Sequence, residues 1–303
     1  MTAWFQRAWH SDVGYSFRSS PVAIVAGIVA FVCLFCAIFA NVVAPLNPFD
    51  LATLEGGDAF LPPLWLQGGN PKYLLGTDDQ GRDILSALMF GARISLMVGL
   101  ASVALSALVG VSLGLLAGFV GGALDAFIMR VCDVMLSFPV ILIALLIAGV
   151  GRALFPQAPS AMVFGVLILS ISLTGWVQYA RTVRSSTLVE RNKEYVQAAR
   201  LTGVAPLRIM RRHVLPNVLG PVMVLATIQV ATAIITEATL SFLGVGAPPN
   251  SPSLGTLIQV GNKFLFSGNW WITVFPGMML VLIALSVNLL GDWLRDALNP
   301  RLR

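Results

Sequence analysis

Long runs of apolar residues alternate with short polar segments along this chain of 303 residues. A hydrocarbon layer of about 30 Å requires roughly 20 apolar residues in each α-helix that crosses it. Six runs have that length: Pro21–Val43, Ala92–Phe119, Phe127–Val150, Ala161–Tyr179, Val218–Leu243 and Ile272–Leu290. The pattern therefore predicts an all-α, polytopic membrane protein with six transmembrane helices.

The polar segments between the runs define the predicted organisation. We expect an N-terminal segment over residues 1–20, a first span over 21–43 and an extramembrane segment over 44–91. A core of five spans follows over 92–290, with a long polar segment at 180–216 inside it, and a tail over 291–303.

The segment 44–91 is rich in proline and in acidic residues, so most of it is expected to be irregular. Its end changes character, because the apolar residues between Ile84 and Met89 recur at helical spacing. This pattern predicts a short amphipathic helix near the membrane interface, with Asp83 as its N-cap.

Small residues recur every fourth position in the second run, at Ser102, Ser106, Gly110, Gly114, Gly118 and Gly122. In an α-helix this spacing places them on one continuous ridge. Small residues let two membrane helices approach closely. The ridge predicts a helix–helix interface, with the partner helix either in this chain or in another.

Composition supports the membrane interpretation, since 57% of residues are hydrophobic and 11% are charged, with a mean hydropathy of +0.83. One water-soluble core could not hide so much apolar surface. In a membrane protein, the net charge of +5 reflects Lys and Arg residues that set orientation in the membrane, so it does not indicate nucleic acid as a partner.

The basic residues are distributed unevenly between the two sides of the predicted membrane protein. With the N-terminus inside, the outer segments keep only Lys72, Arg82, Arg93, Arg152 and Lys263 of the 19 Lys and Arg residues. Because Lys and Arg concentrate in cytoplasmic segments, both termini are predicted to be cytoplasmic.

Cysteine and histidine do not indicate a metal site. Cys33 and Cys36 lie inside an apolar run, where they are expected to be small apolar side chains of a membrane helix. The two histidines, His10 and His213, are not accompanied by a cluster of carboxylates or cysteines. No metal ligand or catalytic residue is therefore predicted.

Two acidic residues lie in or near the predicted spans and are candidates for function. Asp133 follows Arg130 by three residues, so the two are expected to pair on one helix face. Glu237 lies about 30 Å along a helix from Pro216, which places it near the outer end of its span. It faces either a solvated cavity or an interface.

The polar segment 180–216 has the pattern of a helix, a turn and a second helix. The stretch LVERNKEYVQAARL lacks Gly and Pro, Gly203 ends the first helix, and Pro206 suits the first turn of the second. Ala198 and Ala199 leave a bare surface suited to close docking of another protein. The arginines Arg200, Arg208, Arg211 and Arg212 either contact lipid phosphates or an acidic partner, or only fix orientation.

This segment resembles the cytoplasmic "EAA" loop of the permeases of binding-protein-dependent ABC importers. The match consists of Gln197-Ala198-Ala199, Gly203 and Leu215-Pro216 at the family spacing. Gln197 stands where the family has an acid, and His213 stands where it has isoleucine.

Further stretches resemble the dipeptide/oligopeptide/nickel group of these permeases, and in particular the C-type member of a permease pair. They are LGTDDQGRDILSALMFGARISL at Leu75–Leu96, and the later LSFLGVGAPPNSPSLGTLI, WWITVFPG and NLLGDWLRDALNP. The resemblance covers nearly the whole chain after Ser20.

The resemblance implies a MetI-like permease fold in a bacterial inner membrane and a set of partners. The loop would form a coupling helix that docks on a cytoplasmic ATPase, with Arg208, Arg211 and Arg212 beside it. A homologous permease would complete the pore as a heterodimer, two ATPase subunits would bind ATP and Mg²⁺, and a periplasmic or lipid-anchored binding protein would deliver a di- or oligopeptide. This chain would hydrolyse nothing and hold no cofactor, in agreement with the lack of a G-x-x-x-x-G-K-[ST] sequence.

The alternative function is an ATP-independent secondary transporter or channel for a small solute. Such a protein would be expected to contain inverted repeats or coupling charges, and neither is evident in the sequence. The cargo, the residues that bind it and the role of the outer segment in docking a binding protein are not assigned by the sequence.

Overall fold

The computed structural model describes residues 12–48, 58–248 and 250–297. His10 and parts of the predicted N-terminal segment and C-terminal tail lie outside these ranges. The described ranges form helices and no β-sheet, with one isolated bridge between Thr77 and Asp83. The helices are α1 (Asp12–Ser19), α2 (Pro21–Ile38), α3 (Ala40–Val43), α4 (Ile84–Val120), α5 (Gly122–Leu136), α6 (Val140–Leu154), α7 (Ser160–Glu190), α8 (Glu194–Leu201), α9 (Pro206–Ile209), α10 (Leu215–Phe242), α11 (Leu254–Asn262) and α12 (Trp271–Ala297).

Five helices are long and apolar enough to cross a membrane, namely α2, α4, α7, α10 with the turns before it, and α12. The pair α5 and α6 forms a sixth crossing only as a broken span, because its two helices meet at 89°. The prediction of one continuous helix over Phe127–Val150 is therefore wrong. Pro139 explains the break, since proline disfavours helical backbone at the preceding residue and donates no amide hydrogen bond.

The first crossing begins as the sequence indicates, with Ser20 as N-cap and Pro21 in the first turn. It is shorter than the predicted 21–43, because α2 ends at Ile38 and the short α3 follows Phe39. The guanidinium of Arg93 on α4 donates to the carbonyl oxygens of Ala37 at 2.8 Å and Ile38 at 2.9 Å. This contact attaches the end of α2 to α4.

The second crossing is a single helix of 37 residues. Asp83 is its N-cap, as predicted, and accepts a hydrogen bond from the Ser86 amide at 2.8 Å. The predicted separate amphipathic helix at 84–89 is instead the first part of α4. At 1.5 Å per residue the helix is about 55 Å long, so it extends beyond a hydrocarbon layer of about 30 Å.

The described part of the outer segment, residues 58–83, contains no helix, in agreement with its prolines. Its side chains form a folded structure nevertheless. Buried Tyr73 donates to Asp58 at 2.6 Å, and Arg82 pairs with Asp78 at 2.6 Å. The indole of Trp271, at the start of α12, donates to the Thr77 carbonyl at 3.1 Å. The segment is thereby fixed to the last span.

Helices α4, α7 and α10 form the centre of the molecule, and one apolar cluster runs between them. Helices α2, α11 and α12 pack around the outer half of α4 and α10 through a second cluster. The outer ends of three spans lie close to the predicted positions. These ends are the start of α7, the end of α10 and the start of α12. At its inner end α7 continues to Glu190, well past the predicted Tyr179.

Candidate functional site

The inner segment between α7 and α10 is shorter than predicted, since residues 180–190 belong to α7. The expected single helix over LVERNKEYVQAARL is broken at residues 191–193, where the chain turns before α8. After α9, a π-helical turn at Met210–Val214 leads directly into α10. The undersides of these elements are buried in the central apolar cluster, through Val196, Ile209 and Val214. The segment is therefore a folded part of the protein.

The turn between α8 and α9 has the geometry that its sequence indicates. Gly203 has a φ of +76°, a conformation that L side chains rarely adopt. The Gly203 amide donates to the Arg200 carbonyl at 3.0 Å, and the Val204 amide donates to the Ala199 carbonyl at 3.1 Å. Pro206 occupies the first turn of α9.

The tip of this turn is apolar and exposed. Leu201 is 90% exposed and Leu207 is 62% exposed, and Gly203 and Ala198 are exposed beside them. A single exposed leucine is common on protein surfaces. Here the two leucines lie together at the tip of a turn whose other side is buried. Sequence reasoning did not select these leucines, although their positions on either side of Gly203 could have indicated them.

The predicted site residues are placed as follows. Gln197 is exposed, and its amide donates to the Arg191 carbonyl at 3.3 Å. Ala199 packs against the central cluster. Arg208, Arg211, Arg212 and Pro216 are exposed, and Leu215 is half-buried at the start of α10.

A hydrogen-bonded group that sequence reasoning missed fixes α8 to its neighbours. The hydroxyl of Tyr195 donates to the carboxylate of Glu190 at the end of α7, and Lys193 pairs with that carboxylate at 2.8 Å. Asn217 on α10 donates to the Tyr195 oxygen at 3.0 Å. Partial burial and the hydrogen bond to Glu190 raise the pKa of Tyr195 to about 12. The phenol is therefore a neutral donor at physiological pH.

Two arginines connect the same segment to the inner end of α4. Arg191 donates to the Gly118 carbonyl at 2.7 Å. The guanidinium of Arg200 lies over the ring of Phe119, 5.1 Å from its centroid. The segment thus contacts α4, α7 and α10.

The predicted glycine ridge lies against α7 in this same chain. A methyl group on Gly114 would overlap the Ala180 carbonyl, and one on Gly118 would lie 2.7 Å from Thr187 Cβ. One on Gly110 would lie 2.5 Å from Tyr179 Cβ. Gly122 does not belong to this ridge: α4 ends at Val120, Gly122 has a φ of +62°, and no atom lies near its missing side chain.

The predicted pair of Arg130 and Asp133 does not form. Asp133 pairs instead with Arg181, and Asp125 pairs with Arg184 through both carboxylate oxygens. Arg181 and Arg184 lie one turn apart on α7, and α5 packs across that face. The pairing is between helices, so spacing along α5 alone could not predict it.

Glu237 is fully buried, so of the two predicted alternatives it does not face a solvated cavity but lies at an interface, the contact between α4 and α10. It accepts hydrogen bonds from Ser95 on α4 and Ser241 on α10, each at 2.7 Å. The two serine oxygens accept in turn from the amides of Leu254 at 3.3 Å and Ala247 at 3.1 Å. The carboxyl thereby connects the outer segment before α11 to two spans.

The sequence matches a family of known proteins and several characterised relatives. Residues 110–303 match the family described as "Binding-protein-dependent transport system inner membrane component". The chain is 44% identical to the dipeptide transport system permease protein DppC of Escherichia coli K12, over 98% of this chain and 93% of that protein. It is 39% identical to the di/tripeptide transport system permease protein DppC of Pseudomonas aeruginosa, over 95% of this chain and 91% of that protein.

Solved structures share the fold over about 70% of this chain. A structure described as an inward-facing conformation of the MetNI methionine ABC transporter matches with a TM-score of 0.55 and 20% sequence identity. The match covers 71% of this chain and 98% of that chain. At this identity the likeness concerns the fold alone.

Proposed function

Because the chain belongs to the family of inner membrane components of binding-protein-dependent transport systems, we propose that it forms half of the pore of an ATP-driven peptide importer. The chain is a multi-pass inner-membrane permease, and its curated relatives are transport permeases and not enzymes. In the proposed importer it couples pore movement to ATP hydrolysis in separate subunits through residues 194–216.

The main support for this proposal is the turn between α8 and α9, which exposes apolar side chains while the other side of the segment is buried in the core. Leu201 and Leu207 present apolar surface beyond the spans, while Val196 and Val214 anchor the same segment in the core. Burying such a tip in a groove of another protein is favourable because it removes apolar area from water. Movement of that groove would then displace α4, α7 and α10 together.

The proposed partners follow from this role. A homologous permease completes the pore, two ATPase subunits bind ATP and Mg²⁺ and dock on the turn, and a binding protein delivers cargo from outside. ATP and the loaded binding protein shift the equilibrium between inward-open and outward-open states only through their different affinities for the two. The folded outer segment 58–83 is the proposed surface for the binding protein.

Short peptides are the proposed cargo. The relatives from Escherichia coli and Pseudomonas aeruginosa are described as dipeptide and di/tripeptide permeases, and the alignment with them spans nearly the whole chain.

Transport into proteoliposomes tests the function. The chain is reconstituted with the proposed second permease and ATPase subunits, with ATP and Mg²⁺ on the ATPase side and the binding protein with a labelled dipeptide on the other. We expect uptake that requires ATP and the binding protein. Uptake by the purified chain alone without ATP would identify a secondary transporter or channel and reject the proposal.

Charge reversal tests the docking of the ATPase. Arg211 and Arg212 are exposed beside the turn, so Arg211→Glu with Arg212→Glu is expected to reduce co-purification of the ATPase by about tenfold. Arg130→Glu, at an exposed arginine of α5, is the matched control and is expected to co-purify normally. If the unmodified chain, the double variant and Arg130→Glu all recovered the same amount of ATPase, these two arginines would not be part of the docking surface.

A further inference from the structure

The segment between α3 and α4 exposes apolar side chains at a turn over residues 64–68, here called the outer turn. Trp65 is 58% exposed, and Leu64 and Leu66 are exposed on either side of it. Single exposed apolar residues are ordinary on a protein surface, whereas several that lie together mark an interaction site. The outer turn is therefore a candidate interaction surface.

The outer turn has a defined backbone structure. The Leu66 amide donates to the Pro63 carbonyl at 2.9 Å, and the Gly69 amide donates to the Leu66 carbonyl at 3.0 Å. A methyl group on Gly69 would lie 2.6 Å from the Pro63 carbonyl oxygen, so the chain folds back closely on itself here. Pro63 is buried. The apolar side chains are therefore presented by a folded turn with a buried base.

Ring contacts connect the outer turn to the start of α12. The ring of Trp65 packs against that of Phe275 with centroids 6.1 Å apart, and the ring of Trp270 lies 5.8 Å from the same ring. Residues 271–290 carry no charge, and at 1.5 Å per residue they are about 30 Å long, enough to cross a hydrocarbon layer once. The first turns of α12, and with them Trp65, are therefore expected at the boundary of that layer.

The side of α12 that carries Phe275 is exposed further along the span. Met278 and Leu282 follow Phe275 by one and two helical turns, and both are exposed apolar residues. Such side chains suit lipid hydrocarbon, which is as apolar as leucine. Trp65 therefore continues an apolar face of the span at its outer end.

The composition of the outer turn suits the boundary between acyl chains and headgroups. No charged residue lies between Asp58 and Lys72, whereas charged residues are frequent in residues 72–83. Tryptophan combines a large apolar ring with one N–H donor, and it is enriched where membrane and water meet. Water on all sides would leave the three apolar side chains of the outer turn without a favourable environment.

We propose that the outer turn is a membrane anchor that inserts Leu64, Trp65 and Leu66 into the outer leaflet, between headgroups and acyl chains. Its partner is a phospholipid surface, and no particular headgroup is required because the turn is uncharged. The anchor holds the segment beside α12, in addition to the hydrogen bond from Trp271 to Thr77. The rest of the segment stays in water and remains the proposed surface for the binding protein.

A fluorescent label at the outer turn tests its contact with lipid. Cys33, Cys36 and Cys132 are replaced by Ala, Leu66→Cys is introduced, and its thiol is labelled with nitrobenzoxadiazole. The labelled chain is placed in liposomes of phosphatidylcholine and phosphatidylglycerol together with the proposed second permease and ATPase subunits. We expect strong quenching by a phospholipid that carries a nitroxide near its headgroup, and weak quenching by iodide in the water.

Gln80→Cys, labelled in the same way, is the matched control. Gln80 is an exposed polar residue of the same segment, so its label is expected in water. Iodide should quench this label strongly, and the nitroxide lipid should quench it weakly.

Substitution of Trp65 tests whether its ring holds the turn in the leaflet. Trp65→Asp is expected to raise the iodide quenching constant of the label at residue 66 about fivefold, because a carboxylate opposes insertion and apolar area is lost. Trp65→Phe keeps an apolar ring and is expected to change that constant little. Because Trp65 is largely exposed, both variants are expected to fold, and size-exclusion chromatography checks this. An unchanged constant in Trp65→Asp would contradict the anchor.

Three further outcomes would overturn the inference. Equal iodide quenching of the labels at residues 66 and 80 would place the outer turn in water. Protection of the label at residue 66 from both quenchers would show that another subunit covers it. A response of that label to added binding protein, without quenching by the lipid, would assign the turn to protein docking. Because these measurements need no uptake, their results are distinct from a failure of ATP-driven transport, which would instead reject the proposed function.

Discussion

At three glycines of α4, the absence of a side chain allows two membrane helices to touch. Gly110, Gly114 and Gly118 lie against the backbone and Cβ atoms of α7. Lipid removes the hydrophobic drive for helix association, so close packing has to supply the attraction. A stripe of small residues is therefore a requirement of this contact.

We expect Gly114→Ala to destabilise the protein by about 1–3 kcal/mol, because the added methyl group overlaps the Ala180 carbonyl and the backbones must separate. Thermal unfolding in detergent measures the loss. Gly165→Ala is the control on α7, where a methyl group meets no atom within 4 Å. Equal midpoints for the two variants would contradict the proposed role of the ridge.

The carboxylate of Glu237 accepts hydrogen bonds from two serine hydroxyls. We expect Glu237→Leu to lose about 1–3 kcal/mol, since the Ser95 and Ser241 hydroxyls would be left buried without an acceptor. Protease cleavage within the outer segment 244–262 is expected to become faster, and Glu237→Gln to show a smaller effect.

Thr239→Val is the control on the same helix, because the Thr239 hydroxyl donates only to the Ile235 carbonyl one turn away. If Glu237→Leu were cleaved as slowly as this control, the carboxyl would not hold the outer segment in place.

At the scale of elements, the inner segment joins the exposed turn to three spans by hydrogen bonds. Tyr195 ties α8 to α7 and α10, and Arg191 ties it to α4. The turn itself depends on Gly203, whose left-handed conformation ends α8 and directs the chain into α9.

We expect Gly203→Val to uncouple transport from ATP hydrolysis. No atom lies within 4 Å of the missing side chain, so the cost arises from the backbone conformation alone, about 1–2 kcal/mol, and the turn changes shape. The ratio of peptide imported to ATP hydrolysed is the measurement, and it should fall by about tenfold.

Gly220→Val is the control, because Gly220 lies on α10 with space around it and an ordinary helical backbone. Normal coupling in Gly203→Val would show that this turn transmits no force.

At the scale of the whole molecule, α1 and the end of α12 lie together. The rings of Phe17 and Trp293 are 5.1 Å apart, and the start of α2 and the end of α12 line one apolar groove. The chain therefore enters the first span and leaves the last on the same side of the molecule. The bias of Lys and Arg predicts that this side faces the cytoplasm.

We expect green fluorescent protein to fluoresce when fused to either terminus, and alkaline phosphatase to be inactive there, because both ends are predicted to be cytoplasmic. Phosphatase fused after residue 66, in the outer segment, is the control and is expected to be active. Phosphatase activity at either terminus would contradict this orientation.

Local patterns in the sequence predicted the positions and order of five spans, the Asp83 cap and the Gly203 turn. These features depend on residues that are close together in the chain, where hydropathy and backbone preference act locally. Sequence resemblance to one family of permeases pointed to the same fold that the solved structures show.

Which side chains meet depends on the packing of the helices against one another. Asp133 pairs with Arg181 and not with nearby Arg130, Glu237 is enclosed by serines of two spans, and Trp65 packs against Phe275 of the last span. Each of these contacts depends on how far a helix is rotated about its axis and which helix packs beside it. Packing among all the spans fixes that rotation, and a local pattern of residues does not contain it.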